Sequence, residues 1–253
     1  FQGKEFEIIG SNYDRNRHFF LGHFFRDNYE NWLKSLPIVT SGVNINRVEV
    51  YILNRSNNSE SLRNFAAFTD LGEGKVLLNS NSSYVGNGNG SPNDNSSNFL
   101  YENLINDPSL RNIDLTDNIL NSQFSFSKSI DFEKVTSARK LDTDEYFISK
   151  TLGYISLLRR LQNDEVLAVS YEYTHNGNRY KVGELSEDYQ NRDESEVIFL
   201  KLLRPSNINV KIPTWDLMMK NIYNLNASQI ERENFDLKIR YRDDKVGFNN
   251  PSI

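Results

Sequence analysis

Residues 166–184, VLAVSYEYTHNGNRYKVGE, leave a chain few choices. Leu167, Val169, Tyr171 and Tyr173 fall on one side of an extended backbone, the period-two pattern of a strand with one buried face. Asn176-Gly177 follows, a dipeptide that accepts the positive φ angles of a tight hairpin turn, so residues 179–184 must run back along the strand they left. His175 stands at the turn tip, where nothing holds it as a catalytic base. A protein organised around this hairpin is a sheet protein, and the rest of the chain supplies what packs on the sheet.

Further strands are expected at 47–53, with Val48, Val50 and Ile52 on one face, and at 65–71, which ends in a Gly-Glu-Gly turn. Residues 146–157 read as a hairpin broken at Gly153. Residues 197–203, VIFLKLL, are apolar on both faces apart from Lys201 and belong inside a sheet. Residues 235–241, FDLKIRY, read as a closing strand with Phe235, Leu237, Ile239 and Tyr241 inward. Two amphipathic helices are predicted. The first spans 17–36, where Leu21, Phe25, Tyr29, Trp32 and Leu36 recur at helical spacing and Pro37 stops it. On such a helix His18 and His23 lie on different faces and cannot share a metal, which makes His18 a packing residue and His23 a solvated one. The second spans 215–225, with Thr214 as N-cap. Residues 99–105 and 110–120 read as helical or turn-like. The expected class is α+β, β-rich, with antiparallel sheets and a few packed helices.

Residues 79–98, NSNSSYVGNGNGSPNDNSSN, have little to bury and read as a flexible loop whose removal (80–97) should cost little. It divides a helix-plus-strand segment (4–78) from a β-rich segment with a C-terminal helix and strand (99–253), and the pieces can form one composite domain. Phe1-Gln2-Gly3 resembles the remnant of a cleaved linker, which would make the chain an excised fragment.

The 253 residues include no Cys and carry a net charge of -5, which excludes thiol chemistry and weighs against a nucleic-acid binder. No apolar run is long enough for a membrane-spanning helix. No nucleophile–base pair, carboxylate pair or metal motif is visible locally, and no cofactor or metal is expected; the chain does not read as an enzyme. Acidic residues gather at 142–145 and in 184–196, ELSEDYQNRDESE, whose spacing matches no EF-hand. Glu184, Glu187, Asp188, Asp193 and Glu194 are therefore candidates for a partner surface, because exposed loops concentrate binding residues.

Three long collinear stretches carry a family resemblance: NYDRNRHFFLGHFFRDNYENWLKSLPIVTSGVNINRVEVYILN, LGYISLLRRLQNDEVLAVSYEYTHNGNRYKVGELS and VIFLKLLRPSNINVKIPTWDLMMKNIYNL. They resemble the SprA/Sov family, gliding-motility proteins that form the outer-membrane translocon of the type 9 secretion system. The resemblance implies a giant β-barrel parent in the outer membrane, of which this chain is a soluble part on the extracellular or periplasmic side. It implies partners as well: a PorV-like barrel, a plug protein and secreted cargo. The strands here are short for a bilayer crossing of about 9 to 11 residues and are mixed with helices. A surface glycan-binding or adhesive β-sandwich is the alternative that the aromatic content permits.

Overall fold

A computed structural model of the chain describes residues 7–55, 62–78, 82–85, 92–226, 233, 235–242 and 249–250. The first three residues lie outside these, as do residues 79–81 and 86–91 of the Asn/Ser/Gly-rich segment. Along the chain the elements are β1 (His18–Phe20), α1 (His23–Leu33), β2 (Val43–Leu53), β3 (Arg63–Phe68), α2 (Ser82–Val85), α3 (Leu100–Ile105), α4 (Ile113–Ser122) and β4 (Phe132–Lys140). They continue as β5 (Tyr146–Ser149), β6 (Tyr154–Leu157), β7 (Leu167–His175), β8 (Asn178–Val182), α5 (Ser186–Tyr189), β9 (Val197–Arg204), α6 (Thr214–Leu217), β10 (Tyr241–Arg242) and β11 (Asn249–Asn250). The class is the β-rich α+β expected.

The largest sheet closes on itself. Its order is β2-β4-β3-β9-β7, and β7 pairs again with β2 over residues 43–52, while β8 continues the hairpin beside β7. Every pairing is antiparallel except β3 with β9. Closure removes sheet edges and leaves an interior that side chains must fill. Alternate residues from all five strands do so: Tyr51, Phe65, Ala67, Val135, Ala168 and Leu200 share one buried cluster, into which Tyr189 of α5 also packs. The opposite faces are covered by two further cores. One joins β2 and β7 to the sheet β1-β6-β5 and to α1, and includes Leu167, Val169, Tyr171 and Tyr173 on the shared face expected of them. The other lays α3 and α4 over β3 and β9 through Leu100, Leu104, Leu120, Phe68 and Phe199. β9 is buried along its length, as its apolar run requires.

Local pattern and tertiary pairing part company in four places. The helix expected over 17–36 is β1 followed by α1, because His18, Phe19 and Phe20 pair with Ser156, Ile155 and Tyr154 of β6. Gly22 stands at the junction, where a Cβ would fall 2.3 Å from Asn93 Nδ2. The helix expected over 215–225 is the single turn of α6, with Thr214 as its first residue and not its cap. Beyond it Met218 bridges to Phe19 and the Met219 N–H donates to the His18 carbonyl at 2.9 Å, so the free edge of β1 draws the chain out of helix.

The third place is the segment read as a removable loop. Val85 and Asn98 are buried, and Tyr84 stacks on Phe124 at 4.2 Å. Asn93 accepts from Phe24 N at 3.2 Å and takes the Tyr173 hydroxyl on its carbonyl at 2.7 Å. Asn95 pairs with the end of β8, giving its N–H to Lys181 O at 2.7 Å and accepting from Gly183 N at 2.8 Å. Asparagine brings the hydrogen-bonding capacity of a second peptide unit, so a polar stretch here is anchored without apolar burial.

The fourth is the closing strand. Residues 223–253 form a second, smaller unit, in which β10 pairs antiparallel with β11. Only Tyr241 of the expected 235–241 strand enters that pairing; Phe235, Leu237 and Ile239 are 46%, 68% and 64% exposed. Alternation specifies which face a strand buries, and it acts only where a neighbouring strand takes up the backbone hydrogen bonds.

Candidate functional site

The five acidic residues expected to form a partner surface do not lie together. Glu184 is a correction: it is buried, with Arg111 Nη1 and Nη2 donating to its two oxygens at 2.6 Å each and Phe199 N at 2.8 Å. The Arg111 guanidinium lies 3.9 Å from the Phe199 ring centre, so this pair bolts the helical layer to β9. Bidentate, charge-assisted hydrogen bonds of this kind hold structure. Glu187 reaches Arg47 at 2.6 Å across the surface. Asp188 caps α5 by accepting from Leu185 N at 2.7 Å and meets Lys181 Nζ at 2.6 Å. Asp193 is exposed and closes a turn on Ser195, whose hydroxyl and N–H hold its carboxyl below the ordinary value. Glu194 is exposed. Only the last two offer acidic groups on a free loop. Arg111 was not foreseen, and no local signal could have found it, since it and Glu184 are 73 residues apart.

A second ionic group lies under the N-terminus of α1. His23, expected in solvent, is buried; its Nδ1 is 3.0 Å from Glu73 Oε1 and its Nε2 is 3.1 Å from the Pro213 carbonyl. Lys201, the one charge in the apolar run of β9, reaches the same Glu73 oxygen at 2.7 Å and donates to the Thr69 carbonyl. A carbonyl can only accept, so Nε2 donates to Pro213, and Nδ1 faces the Glu73 carboxylate. Burial works to raise the Glu73 carboxyl, but Lys201 and His23 overcome it and hold the group well below the usual range. Burial pushes the neighbouring Asp70 up to about 6; the charges of Glu73 and Asp131 add to this, while Lys201 and the Leu77 N–H oppose it. A turn, a helix start and an interior strand are thus joined through one carboxylate.

The residue types would suit acid–base chemistry, but substrate needs access, and His23, Asp70, Glu73 and Lys201 are at most 4% exposed. Two clefts among the described residues are lined by other side chains. Among the described residues no group of three or more His, Cys, Asp or Glu could hold a metal ion, and no helix is long and apolar enough to cross a membrane. His175 sits at the hairpin tip with its ring edge-on to Phe24 at 5.2 Å.

Compared with known proteins, residues 2–97 match the SprA_N family model, described as motility related/secretion protein. No curated protein matches the chain. The matched region takes in β1, α1, β2, β3 and the turn that carries Glu73, and so covers the first of the three stretches that resemble SprA. Over residues 2–97 the chain is therefore similar to the SprA_N family of motility related/secretion proteins.

Proposed function

We propose that this chain is a non-catalytic part of a SprA/Sov-type outer-membrane translocon and supports type 9 protein secretion and gliding motility by bracing, gating or partner recognition at one mouth of the parent barrel. The observation that carries this reading is the family match over residues 2–97, continued by collinear resemblance at 152–186 and 197–225. The interior of the small closed sheet agrees with it in kind: Tyr51, Phe65, Leu200 and their neighbours fill it, so it is a packed scaffold and not a conduit. Secreted cargo, a PorV-like barrel and a plug protein are its partners in this reading. The aromatic residues that would serve a sugar-binding module lie largely in the cores, Trp32 and Tyr171 among them, so no observation favours the adhesive alternative.

The test is removal of residues 4–250 from the full-length parent, with cargo followed at the cell surface. Cargo trapped in the periplasm, or leaking without control, is the expected result. Normal secretion, surface display and gliding with the barrel correctly inserted would show that the domain has no such role.

A further inference from the structure

The turn at residues 69–74 brings a second buried carboxylate close to Glu73. Asp70 feels the charges of Lys201 on β9, of Glu73 in its own turn and of Asp131 in the turn before β4, while His23 of α1 joins the group through Glu73. Three carboxylates thus lie with the Lys201 ammonium, which is already engaged: its Nζ meets Glu73 Oε1 at 2.7 Å and donates to the Thr69 carbonyl. Asp131 accepts from Ser127 N at 2.8 Å. The Asp70 carboxyl accepts from a backbone donor, the Leu77 N–H at 3.0 Å. One such bond offsets only part of the cost of keeping a carboxylate out of water, and two like charges nearby add to that cost.

The same turn fastens both ends of the stretch that follows it. Leu77 is tied by the Asp70 side chain, whereas residues 94 and 98 are tied by main-chain carbonyls: Asp94 N donates to Gly72 O at 2.9 Å, and Asn98 Nδ2 donates to Asp70 O at 2.8 Å and to Glu73 O at 3.2 Å. The far end is secured twice over, because the Asn98 contacts are buried and Asp94 Oδ1 also accepts from Lys181 N of β8 at 2.7 Å. The near end is not. Residues 75–78 are exposed or half-buried, and Val76 is only partly packed against the helical core, so this end lifts without unpacking a core. Its tie runs through the one carboxyl of the turn whose charge is poorly matched.

We infer that Asp70 is a pH-sensitive clasp on residues 75–78, closed while its carboxyl is protonated and released to water when it ionises. In the closed form burial, helped by Glu73 and Asp131, pushes the carboxyl up to about 6 against the pull of Lys201 and the Leu77 N–H. Once the segment lifts, water returns the group to the ordinary carboxylate range. The clasp is therefore firmest below that range and loosens as pH rises through about 6. Glu73, held well below the usual range, stays ionised throughout, so Lys201 and His23 keep their partner and the opening is local. The device goes beyond the role proposed above and does not depend on it, since every group in it belongs to this chain.

The test is amide hydrogen exchange of the full 253-residue chain, read residue by residue by NMR at about pH 5 and about pH 7.5 and corrected for the intrinsic rate at each pH. The Leu77 N–H is expected to exchange about tenfold or more faster at the higher pH, while Val169 in the middle of β7 keeps its protection. Asp70→Asn retains an acceptor oxygen for Leu77 but has no charge to gain, and its Leu77 rate should be the same at both pH values. The inference is overturned if wild-type Leu77 has one corrected rate at both pH values, if Asp70→Asn keeps the wild-type pH dependence, or if Val169 opens in step with Leu77, which would make the change global unfolding.

Discussion

Glu73 and Glu165 each gather two basic side chains, and they make different kinds of site. Around Glu73 the partners are His23 and Lys201, all of them sealed, and the Lys201 ammonium has its remaining contact in the Thr69 carbonyl. Around Glu165 the partners are Arg159 and Arg55, whose forks extend past the carboxylate into solvent. Within the interior each charge must be matched, because an unpaired one costs several kcal/mol; at the surface water takes up what is left over. The first arrangement therefore encloses all of its charge, and the second leaves part of its guanidinium surface to water.

The largest effect that would break this contrast is at Glu73, whose partners are buried with it. Glu73→Gln leaves Lys201 without its counter-charge and His23 without its carboxylate partner, and we expect a loss of about 3 to 5 kcal/mol in unfolding free energy by denaturant titration. Unchanged stability would mean that this centre is not what joins α1 to the sheet. Next is the tryptophan pair: Trp32→Ala, in the core beneath β7, should cost about 3 to 5 kcal/mol. Trp215→Ala should cost clearly less, since that ring is half-buried with Lys220 Nζ 4.8 Å from its centre. Equal losses would put Trp215 deeper in the packing than its exposure indicates.

Asp70 sharpens the comparison through pH. Its folded carboxyl titrates at about 6, above its unfolded value, so the stabilisation from protonating it is fully present below the unfolded value and is lost as pH rises through about 6. Asp70→Asn should accordingly be more stable than wild type at pH 7 by about 1 to 2 kcal/mol and should flatten the melting-temperature profile between pH 4 and 7. A profile identical to wild type would remove Asp70 from the linkage. Smallest of all, Arg160→Ala and Glu194→Ala should each change stability by less than about 1 kcal/mol in denaturant titration, as exposed charges do, and a larger loss at Arg160 would show that its pairing with Asp14 holds structure.

The difference between the two carboxylates was not visible along the chain. Lys201 was marked by its surroundings, one charge in VIFLKLL, and that was enough to place its strand inside a sheet. Glu73 sits in a Gly-Glu-Gly turn that reads as exposed, and 128 positions separate it from the lysine it neutralises. His23 read as solvated because a continuous helix was assumed from residue 17, and the error in its element carried over to its environment. Among the acidic candidates, Glu184 looks like its neighbours in ELSEDYQNRDESE; only the arrival of Arg111 over the Phe199 ring takes it inside. Nothing in residues 121–145 announced a strand, yet β4 closes the ring, with Val135 and Ala138 in a stretch otherwise short of apolar residues.

What the amino-acid order determined by itself are the features that complete themselves within a few residues. The β7–β8 hairpin turns where Asn176 and Gly177 take φ of 50° and 83°, and the β5–β6 hairpin breaks at Gly153 with φ of 66°. The interior position of β9 follows from its apolar run, and α3 and α4 overlap the segments 99–105 and 110–120 read as helical or turn-like. Tertiary structure decided everything that needed a distant partner: the ring closed by β2 on β7, the conversion of two expected helices into strand and bridge at β1, the anchoring of Asn93 and Asn95, and the fate of each charge. The physical reason is the same in all of them. A backbone hydrogen bond or an ion pair has a value set by what remains when it is not made, and for these groups that alternative is fixed by burial, which arises only when the whole chain is packed.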